Sequence, residues 1–158
     1  MTPNENQQIS NYFYLLPITT RWIDNDMFGH VNNVNYYAYF DSVINQFLIE
    51  KAGFNPQKSP QVGFVVESNC QYFSPISYPD KLIGALRINR LGKSSVEYGV
   101  AIFKDGEEKA AAAGKMTHVF VDRISQKPAA INSVMRLALD NNRVISNSDD
   151  QKIVGQHD

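Results

Sequence analysis

Cysteine is almost missing from this sequence: its 158 residues hold one, Cys70. No disulfide can close within the chain, which agrees with a reducing compartment. Cys70 lies in a strand-like run with no His or Asp beside it, so it reads as a buried structural thiol rather than a nucleophile. Long apolar runs are also missing. None approaches the ~20 residues that cross a bilayer, and the opening MTPNENQQISN lacks the basic-then-apolar order of a signal peptide. No membrane association is expected, and a cytoplasmic location follows by default. Charge of one sign is not in excess either, with 15 basic against 16 acidic residues. That excludes a broad basic field for nucleic acid. His118 and His157 stand at no spacing that suggests a metal site, and no cofactor is called for.

What is present suits one folded domain. Hydrophobic residues make up 43% of the chain, enough for a core rather than disorder. Residues 1–11 read as a flexible lead, 12–143 as the domain, and 144–158 as a polar tail. Pro17–Ile23 is a strand candidate, rich in β-branched residues. A polar segment, Asp24–Asn33, follows it. From Val34 to about Lys51 the pattern is helical, with Tyr37, Phe40, Ile44, Phe47 and Leu48 on one face. Asn32 or Asn33 is a natural N-cap and Gly53 a natural stop. This helix has few charges and many aromatics, so heavy burial is expected.

Beyond Pro56 the period changes to two. Phe64, Val66, Ser68, Cys70 and Tyr72 fall on one face of a strand, with Glu67, Asn69 and Gln71 on the other. Leu82–Ile88 and Val96–Ile102 alternate in the same way. Gly92–Ser95 and Asp105-Gly106 mark turns. Residues 108–122 read as one long strand, and Ile131–Asn141 as a short amphipathic helix. An antiparallel sheet must cover its apolar face, and one apolar helix is available to do so. The economical α+β solution is a curved sheet wrapped around a central helix. Aromatics on both faces, such as Tyr72 and Phe73, leave surface for a partner subunit.

The segment Arg21-Trp22-Ile23-Asp24-Asn25-Asp26-Met27-Phe28-Gly29-His30-Val31-Asn32-Asn33, followed by Tyr36, Tyr39, Phe40 and Asp41, resembles the hotdog-fold acyl-CoA thioesterases of the 4-hydroxybenzoyl-CoA thioesterase type. Tyr72-Phe73-Ser74-Pro75, Gly92-Lys93-Ser94-Ser95 and Thr117–Asp122 match it more weakly, in order. The resemblance implies a hotdog fold, an antiparallel sheet wrapped around a long central helix. It implies hydrolysis of an acyl-CoA to free acid and CoA, with Asp26 as the catalytic carboxylate and a backbone N–H at Asn33 facing the thioester carbonyl. His30 is in step with a family histidine. Phe28 stands where plant acyl-carrier-protein thioesterases carry Asn, and Asn33 where other members carry His or Tyr. The hairpin region holding Arg90, Lys93, Ser94 and Ser95 is similar to one that contacts coenzyme A. Family members are dimers or tetramers with sites between subunits. A homodimer or homotetramer is therefore implied, with acyl-CoA or an acyl-carrier protein as partner and fatty acid metabolism as the setting.

The chemistry can be argued from the residues as well. A helix N-terminus offers unpaired N–H groups and partial positive charge, so amides near Asn32–Tyr36 can polarise a carbonyl. A carboxylate on the loop before the helix can reach the same carbon, as nucleophile or as base for a water. Each residue has a plainer alternative. Asp24 and Asp26 both suit turns and caps, and Asp24 is the more structural of the two. His30 orients Asp26, touches substrate, or holds the loop through its backbone. Asn32 reads as a cap. Tyr36 lines an acyl tunnel or belongs to the core. Glu67 faces a site across a dimer or simply lies on a solvated sheet face. Arg87, Arg90 and Lys93 form a phosphate-binding cluster or an ordinary hairpin surface. Two competing functions are a hotdog hydratase or dehydratase, which would need Asn and Pro between the Asp and His, and a non-catalytic acyl-CoA-binding protein.

Overall fold

A computed structural model describes residues 5–143 of the chain, and the polar tail read at 144–158 lies outside them. The elements are β1 (Tyr14–Thr19), α1 (Asn33–Lys51), β2 (Gln61–Tyr72), β3 (Lys81–Leu91), β4 (Ser95–Lys104), β5 (Ala112–Asp122) and α2 (Ser133–Asn141). The five strands form one sheet in the order β1-β3-β4-β5-β2, antiparallel at every pairing. One face of the sheet packs on α1. Phe40, Val43, Ile44, Phe47 and Leu48 of the helix meet Leu82, Leu86, Ile88, Tyr98, Val100 and Ile102 of the sheet in the main core. This is the hotdog arrangement that the sequence led us to expect. No helix among the described residues is long and apolar enough to cross a membrane.

Several boundaries differ from the expected ones, each for a local reason. The first strand starts at Tyr14 and ends at Thr19, not Ile23. The Thr20 hydroxyl donates to the Asp80 carbonyl at 2.6 Å, and the Arg21 N–H donates to the Asp24 carboxylate at 2.9 Å. These bonds turn the chain out of the sheet, and Trp22–Asp24 close into a 3-10 turn. Residues 5–11, read as a flexible lead, instead form two 3-10 turns. The Ile9 N–H donates to Glu108 and the Ala110 N–H to Gln7. That exchange takes up the backbone of 108–110, so β5 starts at Ala112 rather than at 108. Ile9 and Tyr12 thereby cover a second cluster on the outer face of the sheet, formed by Ala85, Ala101, Phe103, Ala110 and Ala113.

A bulge between Val65 and Glu67 changes the facing of β2. One extra residue reverses the alternation. Phe64 pairs with Val119, while Ser68, Cys70 and Tyr72 pair with Met116, Gly114 and Ala112. Phe64 therefore lies on the opposite face from the residues it was grouped with. The face of α1 is also rotated from the expected one. Tyr36 and Tyr39 are buried, whereas Tyr37, Val34 and Ala38 point outward.

Among the described residues, one histidine lies in the core. His118 is buried, with its Nδ1 3.1 Å from the Tyr98 hydroxyl. Gly63 on β2 makes room for it, since a Cβ there would lie 2.5 Å from that same nitrogen. Burial lowers the His118 pKa from 6.5 to about 4, because the cation would be desolvated. The folded chain therefore resists a proton that the unfolded chain accepts below about pH 6.5. Stability is complete above that pH and falls until the folded value near 4. Urea unfolding should show a loss of about 2 kcal/mol from this group between pH 7 and pH 5. His118→Gln should remove that part of the slope, and parallel pH profiles for the two proteins would contradict it.

Candidate active site

The segment between β1 and α1 is fixed around Asp24, which is 1% exposed. Its carboxylate accepts from the Arg21 N–H, from Arg21 Nε and Nη2 at 3.1 and 2.9 Å, and from the Tyr39 hydroxyl at 2.8 Å. Burial alone would raise its pKa, but the bonds from Arg21 and Tyr39 outweigh that and hold it below the usual carboxylate range. The Asp24 carbonyl then accepts from the Asn32 N–H at 2.9 Å and from Asn35 Nδ2 at 3.0 Å. The start of α1 is thus clamped to the end of the 3-10 turn.

Between these anchors the chain makes a short reverse turn. The Asp26 N–H donates to His30 and the Gly29 N–H to Asp26. Gly29 sits at φ +81°, a conformation that favours glycine. The Asp26 carboxylate is held at both oxygens, with Oδ1 accepting from the Phe28 N–H at 2.9 Å and Oδ2 from Asn32 Nδ2 at 3.3 Å. Asn32 also caps α1, its Oδ1 accepting from the Val34 N–H at 3.0 Å. One amide side chain therefore joins Asp26 to the helix start. With the Val34 and Asn35 amides both bonded to Asn32, the Asn33 N–H is the first-turn donor left without a protein acceptor among the described residues.

A cleft lies on each side of this turn. One, of about 340 Å³, is lined by His30, Asn33, Tyr36 and the run Tyr72-Phe73-Ser74-Pro75. Tyr36 and Tyr72 meet edge to face at 4.9 Å in its wall. Burial pushes the Tyr36 hydroxyl up to about 12 and the Cys70 thiol behind it up to about 11. Neither offers an anion near neutral pH. The other cleft, of about 600 Å³, is lined by Trp22, Ile23, Asn25, Asp26, Met27 and Gly29. Among the described residues no set of three His, Cys, Asp or Glu side chains lies together as metal ligands would.

One protomer brings His30, Asn33 and Tyr36 to the smaller cleft and Asp26 to the larger one, the two joined through the Asn32 side chain, and it leaves the other candidates elsewhere. His30 accepts from the Asp26 N–H through its backbone carbonyl, and the residue lines the smaller cleft. Glu67 is exposed on β2, opposite Thr117. Arg90, Lys93, Ser94 and Ser95 lie toward the far end of the sheet. Ser95 pairs with Val119, which lies about 24 Å along β5 from the Ala112 that pairs with Tyr72, at ~3.4 Å per residue. Arg87 does not join them. It is buried on the outer face, Nε on Asn89 Oδ1 at 2.9 Å and its guanidinium over the Tyr12 ring. Asn32, expected as a cap alone, also holds the Asp26 carboxylate. Its spacing of six from Asp26 was the available signal for the second bond.

The thioesterase superfamily model matches residues 28–111, more than half of the chain. The PA5185 protein of Pseudomonas aeruginosa superposes with a TM-score of 0.87 at 45% identity, over 89% of this chain and 99% of its own. A 1,4-dihydroxy-2-naphthoyl-CoA thioesterase from Synechocystis shares the fold, with a TM-score of 0.74 at 15% identity over 81% of this chain and 96% of its own. So does a Staphylococcus aureus protein solved in complex with CoA, with a TM-score of 0.75 at 15% identity over 84% and 87%.

The clamp at Asp24 has a measurable consequence. Asp24→Asn removes the charge that binds Arg21 and Tyr39 and should lower the unfolding free energy at pH 7 by about 2 kcal/mol in urea. Because the folded pKa is depressed, the carboxylate's contribution is present above the unfolded value of about 3.9 and is lost as pH falls through the lower folded value. The deficit should therefore narrow below about pH 4. Equal stability at pH 7 would contradict the clamp.

Proposed function

Because the chain belongs to the thioesterase superfamily, we propose that it hydrolyses an acyl-CoA thioester to a free carboxylic acid and CoA, with Asp26 as its catalytic carboxylate. The observation that carries this reading is the Asn32 side chain, which ties the Asp26 carboxylate to a helix start whose Asn33 N–H is open. A thioester carbonyl seated there accepts a hydrogen bond from that N–H, reinforced by the helix dipole. Its carbon then faces Asp26. The carboxylate attacks it, or takes a proton from a water that does. The tetrahedral oxyanion collapses with loss of the CoA thiolate; where Asp26 itself attacked, water then cleaves the acyl–aspartyl anhydride and frees the carboxylate, and in either route water supplies the oxygen of the acid and the proton of the thiol. His30 and Tyr36, in the smaller cleft beside Asn33, contact the substrate next to the carbonyl. The complex of the Staphylococcus aureus neighbour with CoA supports CoA as the carrier.

The site also calls for a second copy of the chain. β2 is an edge strand that leaves Phe64, Val65, Val66 and Tyr72 exposed. Such an edge is a template for pairing. Two copies of β2 related by a two-fold axis run antiparallel, so the Gln61 end of one meets the Tyr72 end of the other. That brings the partner's turn from Gly92 to Ser95 toward this protomer's helix start, and Arg90 and Lys93 then supply cations for CoA phosphates. Glu67 lies along the same seam. The outward Val34, Tyr37 and Ala38 of α1 give that seam further apolar surface.

Thiol release from a panel of acyl-CoAs tests the reaction. Asp26→Asn should lower kcat about a thousandfold with KM little changed. Full activity in a folded variant would overturn the assignment, and no turnover of any acyl-CoA by the wild type would overturn the function. Val65→Asp should convert the sedimenting species from dimer to monomer and abolish turnover together. A monomeric variant that stays active would refute the shared site.

A further inference from the structure

The turn between β3 and β4 is tied down more firmly than a hairpin requires. A short hairpin turn closes through its own bonds, and here the Gly92 N–H donates to the Ser95 carbonyl at 2.8 Å. The other carbonyls of the turn are taken by donors from outside it. Arg136 of α2 places one nitrogen, Nη2, 2.7 Å from the Gly92 carbonyl oxygen and 2.9 Å from that of Lys93. The Ile131 N–H, just before α2, also donates to the Lys93 carbonyl at 2.9 Å, and the Phe120 N–H of β5 donates to Ser94 at 2.7 Å. Arg136 forms no ion pair among the described residues. Its charge faces the carbonyls of the turn instead of a carboxylate.

The direction of these carbonyls fixes the direction of the amides that follow them. A trans peptide is planar, with its C=O and its N–H on opposite sides. The Gly92 carbonyl and the Lys93 N–H share one such peptide, and the Lys93 carbonyl and the Ser94 N–H share the next. Both carbonyls converge on one nitrogen of Arg136, so both N–H groups point away from α2. Neither has a protein acceptor among the described residues. Successive amides aimed the same way make a concavity that suits an anion, and the Lys93 side chain is exposed beside them. We propose that Arg136 is a positioning residue for CoA: it holds the Gly92–Ser95 turn so that the Lys93 and Ser94 amides and the Lys93 ammonium meet one phosphate together. This inference rests on the reading of acyl-CoA as substrate and deepens it by naming a residue of α2 that governs how the carrier is held. Arg136 acts through the turn and touches no reacting atom. Without it the two carbonyls lose their shared donor, and the amides behind them are no longer aligned.

An acyl-CoA and the matching acyl-pantetheine, which has the same thioester and no phosphate, separate the turn from the reacting groups. In the wild type the CoA ester should have the lower KM. Arg136→Ala should raise the KM for acyl-CoA about tenfold, the order expected for a weakened charged hydrogen bond. Its kcat and its turnover of acyl-pantetheine should stay at the wild-type level. Arg136→Lys, which keeps a charged donor, should recover most of the loss. Lys93→Ala should cost less in the Arg136→Ala background than in the wild type, because the ammonium and the amides are then already out of line. Losses that simply multiply would make Arg136 a distant charge and overturn the proposal. An equal rise in KM for both esters, or a fall in kcat, would mark a general prop of the fold and overturn it too. If the wild type cleaves both esters equally well, no phosphate is read at the turn, and the proposal fails while the hydrolase stands. If no acyl-CoA is cleaved, the function fails, and titration calorimetry with CoA still decides the role of Arg136. Binding weakened about tenfold by Arg136→Ala would support it, and no difference from the wild type would overturn it.

Discussion

The carboxylate of Asp24 carries no assigned chemistry, yet the arrangement around it depends on it. A charge withdrawn from water must be met by donors, and here those donors come from both sides of the loop. Arg21 supplies three and Tyr39 of α1 supplies one. The same residue's carbonyl holds Asn32 and Asn35. The helix can then begin at only one place relative to the end of β1, and the intervening residues have to form a tight turn. Asp26 is presented at that turn. Its two oxygens are taken by Phe28 and Asn32, so its direction is set before any substrate arrives. Such preorganisation is what allows a carboxylate to act without paying for reorientation.

The rest of the fold serves to place α1 and leave an edge. The sheet buries one side of the helix in a continuous core and leaves the N-terminal turn open beside β2. Part of the outer face of the sheet, around Ala85, Ala101 and Phe103, is covered by Ile9 and Tyr12, and the Tyr12 ring lies against Arg87. β2 remains the apolar edge, and the bulge at Val66 sends Phe64 to the face opposite Cys70 and Tyr72. The helix start at Asn33 and the turn at Gly92–Ser95 sit toward opposite ends of one sheet, which is why the proposed site draws on a two-fold partner.

Features with local causes were legible in the sequence. The helix from Asn33 to Lys51, its Asn32 cap, the turn at Gly92–Ser95 and the period-two strands each follow from nearest neighbours along the chain. The position of Asp26 just ahead of the helix start was legible too, because both lie on one short segment. The rest depended on partners distant in sequence. Nothing in the run from Ala110 to Gly114 announces that Gln7 and Ile9 will pair beside it and delay the strand. Nothing in the alternation of β2 reveals an extra residue at Val66, which only the register against β5 exposes. Arg87 looked like a surface cation until Tyr12 and Asn11 were placed over it. Ile23 looked like a strand residue because β-branching is a weak preference, and the Arg21–Asp24 bonds override it.

The central claim is that a thioester carbonyl sits between the Asn33 N–H and the Asp26 carboxylate. A crystal structure of Asp26→Asn with uncleaved acyl-CoA tests it most directly. The account predicts the carbonyl oxygen within about 3 Å of the Asn33 backbone nitrogen, with the side chain at position 26 facing the carbonyl carbon. A thioester bound with its carbonyl away from the start of α1, or with another carboxylate facing its carbon, would contradict it.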